Sequence, residues 1–146
     1  MQVCLTKIIF KNNTNFLQKK LIDKDSSVEN FLNNNIAIKR ENKLSKELNR
    51  WIKILIKEYN PKEIILYGSL AKKNVSNWSD IDLVIIKETE KTFFERLREV
   101  LLLLDPKVGS DITVYTPEEF SELCRNNLFF QEEVLKNGVK LYERER

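Results

Sequence analysis

Apolar residues recur at intervals of three and four between Leu44 and Tyr59, at Leu44, Leu48, Trp51, Ile52, Leu55, Ile56 and Tyr59. This spacing lines one face of a helix. Asn60-Pro61 ends the run, because proline lacks a backbone donor and drives the residue before it out of helical geometry. The next apolar stretches, Ile64 to Tyr67 and Ile81 to Ile86, are short and nearly continuous, as expected of buried strands. Helical spacing returns at Phe93, Phe94, Leu97, Val100, Leu101 and Leu104 and stops at Asp105-Pro106. A third strand is predicted at Ile112 to Tyr115 and a short fourth at Val139 to Tyr142. Between them, Thr116-Pro117-Glu118-Glu119 reads as a helix start, with threonine as N-cap and proline at the first helical position. Phe129 to Asn137 reads as a last helix, with Gly138 as its C-cap. The aromatic stripes at these spacings are expected in the core. Together the elements predict an α/β fold, a small mixed β-sheet with helices packed against it.

The front of the chain follows no such pattern. Val3 to Phe10 is apolar enough for a strand, but nine asparagines fall within the first fifty residues, including Asn33-Asn34-Asn35. Asparagine favours turns over helix interiors. Residues 1–45 are therefore read as an N-terminal extension of undefined structure, and residues 46–146 as the domain. The extension has three open roles: packing on the domain, contacting a partner, or mobility. Residues 1–50 carry ten Lys and Arg against five Asp and Glu, while the rest of the chain carries fifteen against seventeen. This mildly basic front lacks the dense basic clusters and interleaved aromatics of a committed nucleic-acid binder, and a solvated face accounts for it.

Candidate chemistry centres on two turns. The strand ending at Tyr67 runs into Gly68-Ser69; ten residues later, Asp80-Ile81-Asp82 opens the next strand. Side chains two apart on a strand share a face, so Asp80 and Asp82 are expected to project together. Paired carboxylates repel unless a cation lies between them, and hard divalent cations favour oxygen ligands. Gly68 allows close backbone approach to a phosphate, and Ser69 offers a hydroxyl and an N–H. A phosphate holder beside a metal holder suits phosphoryl or nucleotidyl transfer. Asp111, at the head of the third strand, would join them if that strand lies beside the second; as an alternative it caps the Gly109-Ser110-Asp111 turn.

Composition narrows the field. The chain has no histidine, which excludes Ser-His-Asp and Cys-His catalysis and imidazole metal sites. Its two cysteines, Cys4 and Cys124, have no metal-like spacing and suggest a reduced, cytoplasmic protein. No stretch is long and apolar enough to predict a membrane span.

The pattern Gly68-Ser69, ten residues, Asp80-x-Asp82 resembles the DNA polymerase β-like nucleotidyltransferase superfamily. It is most similar to the minimal nucleotidyltransferases, many of which are encoded beside a HEPN-domain protein and some of which are antitoxins that adenylylate that partner. The resemblance spans roughly Lys46 to Glu143. It implies two Mg²⁺ ions, replaceable by Mn²⁺, at Asp80, Asp82 and Asp111, with Asp111 as third catalytic aspartate. It also implies ATP as substrate, held by Gly68, Ser69, Lys72 and Lys73, and AMP transfer to a hydroxyl acceptor. Relatives usually carry arginine directly after Gly-Ser; here that position is Leu70, so its phosphate contact is lost or passes to Lys72 or Lys73. Those lysines also read as a solvated loop. Three function classes follow: a nucleotidyltransferase acting on a partner protein such as a HEPN-type toxin, the same chemistry on a small molecule or RNA end, and a binding module with the fold but no turnover.

Overall fold

The computed structural model describes residues 17–145, with side chains from Ser26 onward. The strand expected at Val3 to Phe10 lies outside the described residues. Two compact units are distinguished, Met1–Asn34 and Asn35–Arg146. The described part of the first is helical.

The elements in chain order are α1 (Leu17–Ile54), β1 (Glu63–Tyr67), α2 (Gly68–Ala71), β2 (Ile81–Ile86), α3 (Phe93–Leu104), β3 (Ser110–Tyr115), α4 (Pro117–Asn126) and β4 (Val139–Glu143). A π-helical turn, Leu55–Tyr59, extends α1, and a π-helical segment, Phe130–Lys136, precedes β4. The four strands form one mixed sheet in the order β3-β2-β1-β4. β1 runs antiparallel to both β2 and β4, whereas β2 and β3 are parallel. The parallel pair needs a crossover, which α3 supplies. The α/β expectation therefore holds, and the four strands expected between Ile64 and Tyr142 are present.

Alternation along the strands assigns two faces. Ile64, Leu66, Ile81, Leu83, Ile85, Ile112 and Val114 bury one face with Leu44, Leu48, Trp51 and Leu55 of α1 and its extension and with Val100 and Leu104 of α3. Ile65, Tyr67, Val84 and Ile86 bury the other with Phe130 and Val134, flanked by Tyr115, Phe120 and Leu123. Three expected positions fail here: Phe94 is 79% exposed, Ile56 40% and Leu101 39%, so none belongs to the core. The buried positions of α3 are Arg96, Val100 and Leu104, and Phe94 and Leu101 fall outside that narrow stripe.

The asparagine argument also fails. α1 is helical throughout residues 17–54, Asn33-Asn34-Asn35 included. Asparagine costs only a few tenths of a kcal/mol per position in a helix, which the strong helix formers around it offset. Caps fix the remaining helices. Thr92 with Glu95, and Thr116 with Glu119, form reciprocal capping boxes, and Pro117 opens α4. The last helix ends at Lys136 with Asn137 as its cap, one residue before the expected Gly138. No helix among the described residues is long and apolar enough to cross a membrane.

Candidate active site

The sheet topology brings the motif residues to one end of the sheet, where β1 finishes and β2 and β3 begin. The motif strands β1 and β2 are the two inner strands of the sheet. Tyr67 is the register partner of Asp82, and Asp82 is the register partner of Asp111. The three therefore lie side by side across three strands. Asp82 shares its face with Val84 and Ile86, so its carboxylate rises at the rim of the second apolar cluster.

Each carboxylate has a different environment. Asp82 is half-buried, and its pKa is pushed up from 3.8 to about 6 by desolvation first, then by the charges of Asp111 and Asp80. Asp111 is exposed and accepts a hydrogen bond from the Tyr67 hydroxyl at 3.1 Å. Burial raises the Tyr67 pKa well above the usual phenol value, and the Asp111 charge adds to it, so Tyr67 acts here as a donor. Asp80 lies one residue before β2 and accepts a 3.1 Å hydrogen bond from Arg40 Nη2. Arg40 Nε donates to the Ser79 carbonyl at 2.8 Å.

Two glycines make room for these carboxylates. A Cβ at Gly68 would stand 1.9 Å from Asp82 Oδ2, and one at Gly109 would stand 2.1 Å from Asp80 Oδ1. Asp82 thus leans over the end of β1, while Asp80 leans over the residue before β3. Among the described residues, no three carboxylate or thiol side chains are gathered into a metal-holding cage. The candidate donor set still suits a hard divalent cation: all three side chains offer oxygens, Asp82 and Asp111 are register neighbours, and burial together with the charges of Asp111 and Asp80 disfavours Asp82 as an anion.

The other expected residues are distributed less evenly. Gly68 opens a single helical turn, α2, where a loop turn was expected, and its φ is +71°. Ser69 follows within that turn, and its carbonyl accepts from the Asn74 N–H. Leu70 is buried in the core. Lys72 pairs with Glu133 at 2.5 Å, and exposed Lys73 has a left-handed φ of 54°. Neither lysine has an ion pair with the three aspartates. Sequence reading missed Tyr67, Gly109 and Arg40. Tyr67 and Gly109 were legible as direct neighbours of Gly68 and of the Asp111 turn. Arg40, forty positions before its partner, left no local signal. A groove of about 430 Å³ lined by Phe93, Tyr115, Glu119 and Leu123 lies toward the opposite end of β3 and contains none of these residues.

The sequence model for "Polymerase beta, Nucleotidyltransferase" matches residues 49–146, more than half of the chain. The chain belongs to this family. A solved structure of a provisionally assigned nucleotidyltransferase from Sulfolobus solfataricus shares the fold, with a TM-score of 0.56 at 20% identity over 76% of this chain and 90% of that one. No curated protein sequence matches the chain. In this nucleotidyltransferase domain, α1 begins well before the matched segment, and Arg40 is contributed from outside it.

The raised Asp82 pKa has a measurable consequence. Its folded-state value, about 6, lies above the ordinary carboxylate value of 3.8, so the folded protein binds the extra proton and stability falls as pH rises between them. Solvent screening at a half-buried group reduces the effect to on the order of 1–2 kcal/mol. Urea denaturation in EDTA at pH 4.5 and pH 7 is expected to show that loss, and Asp82→Asn to remove most of it. An identical pH dependence in the variant would reject the assignment.

Proposed function

We propose that the domain transfers a nucleoside monophosphate, AMP from ATP, to a hydroxyl acceptor in a Mg²⁺-dependent reaction. The observation that carries the reading is the row Tyr67, Asp82, Asp111 across three adjacent strands, with Asp80 two residues before Asp82. Asp80, Asp82 and Asp111 are the residues that would hold the cation, with Mn²⁺ as a substitute. When bound, such ions neutralise charge developing on the entering and leaving oxygens of a phosphoryl displacement. The protein's own residues do the remainder. Tyr67 orients Asp111 by hydrogen bond, the packing of Gly68 and Gly109 sets the other two carboxylates, and Gly68-Ser69 offers donors beside them. Positioning and electrostatics carry such reactions, so no covalent nucleophile is needed.

The acceptor proposed is a hydroxyl on a partner protein, in line with the similarity to minimal nucleotidyltransferases that modify HEPN-type toxins in the cytoplasm. Incubating the protein with a co-encoded partner, ATP and Mg²⁺ is expected to add one AMP to that partner, read by intact-mass spectrometry and abolished by EDTA. If nucleotide binds but no partner is labelled, the acceptor is a small molecule or RNA end. If calorimetry with Mg²⁺ detects no nucleotide binding at millimolar ATP, the transfer reading fails in favour of a binding module.

A further inference from the structure

The phosphate chain of a nucleotide needs cationic partners, and two of the positions expected to supply them, 70 and 72, are compromised. Leu70 is apolar and 8% exposed. Lys72 is committed to Glu133 at 2.5 Å, and this contact also lowers the Glu133 pKa. The cation that does meet the carboxylate cluster is Arg40, whose side chain is 21% exposed beside an Asp80 that is 48% exposed. Its guanidinium bonds both the Ser79 carbonyl and the Asp80 carboxylate. A guanidinium has five N–H donors in a planar fork suited to phosphate oxygens, and these two contacts use only part of it.

We propose that Arg40 is the phosphate-binding cation of this site: it rests on Asp80 in the free protein and engages the phosphate chain of a bound nucleoside triphosphate. This rests on the nucleotidyl-transfer reading and adds a residue of α1 to the site. Charge explains the exchange. In the free protein Arg40 is the counter-ion of Asp80, the carboxylate that leans over Gly109. Once Asp80 is neutralised by a divalent cation, the guanidinium no longer gains from that contact, and a phosphate chain brings anionic oxygens into its reach. Arg40 then compensates for the apolar residue at position 70.

Isothermal titration calorimetry of the full chain tests this with two probes, Mg²⁺ alone and Mg²⁺ with non-hydrolysable α,β-methylene ATP. Arg40→Ala is expected to weaken nucleotide binding about tenfold to a hundredfold, the loss of a charge-assisted contact, while Mg²⁺ alone binds no more weakly than to the wild type. Arg40→Lys, which keeps the charge and loses the fork, should fall between them. Lys91→Ala, beyond the far end of β2 and paired with Glu99, should stay within roughly twofold of the wild type. Nucleotide binding by Arg40→Ala within that same margin would overturn the proposal. So would a parallel loss of Mg²⁺ binding, which would make Arg40 a support for Asp80 only. Failure of the wild type to bind the nucleotide would instead reject the underlying nucleotide reading.

Discussion

Asparagine at position 111 is expected to reduce nucleotidyl transfer by at least roughly a hundredfold, the scale seen when one preorganised electrostatic contact to a developing charge is lost. The same change should raise, not lower, the stability of the metal-free protein at neutral pH. Asp111 is exposed, and its charge is one of the causes that push the Asp82 pKa up to about 6. Removing that charge relieves Asp82, and an asparagine amide oxygen can still accept the Tyr67 hydroxyl hydrogen bond. Opposite signs for activity and stability separate a site residue from a folding residue. Intact-mass spectrometry of the acceptor, paired with thermal melts in EDTA, measures both. Transfer at the wild-type rate would refute the role assigned to Asp111.

Alanine at position 68 should do the most damage for the smallest chemical change. Gly68 has a φ of +71°, where an L-residue loses about 1–2 kcal/mol. The new methyl would also stand 1.9 Å from Asp82 Oδ2, next to a buried strand that cannot shift freely. A stability loss of about 2–3 kcal/mol is expected, combining strain and steric overlap, together with loss of any Mg²⁺-dependent rise in melting temperature. Gly109→Ala provides the contrast. Gly109 has no left-handed φ, and its methyl would meet the half-exposed Asp80 carboxylate, which can swing aside. Its stability should change little while the position of Asp80 is lost. Urea denaturation separates the two; a Gly68→Ala variant within about 0.5 kcal/mol of the wild type would show that the entry to α2 tolerates a side chain.

Much of the fold was legible because its signals are local. Strand positions followed from short runs of Ile, Leu and Val; the start of α4 followed from Thr116 as N-cap with Pro117 at the first helical position. Register was half-legible. Alternation places Asp82 on the same face as Val84, but only the parallel pairing of β2 with β3 makes Asp111 its neighbour. The failures have two causes. Phe94 and Ile56 have apolar chemistry at helical spacing, yet the core-facing stripe of each helix is narrower than the pattern implies. The asparagine-rich front was misread because weak residue preferences yield to helical context.

By itself the sequence determined the carboxylates, the glycine that a left-handed backbone requires, and the alternation of elements that makes a mixed sheet. These depend on residue identity and on spacing within a few positions. Tertiary structure alone decided which groups meet. It set Tyr67 against Asp111, turned Lys72 toward Glu133, buried Leu70, and carried Arg40 forty residues through the fold to Asp80. The physical reason is that a hydrogen bond or ion pair depends on distance in space, which the chain path sets, and no local pattern in the sequence encodes a partner that far away.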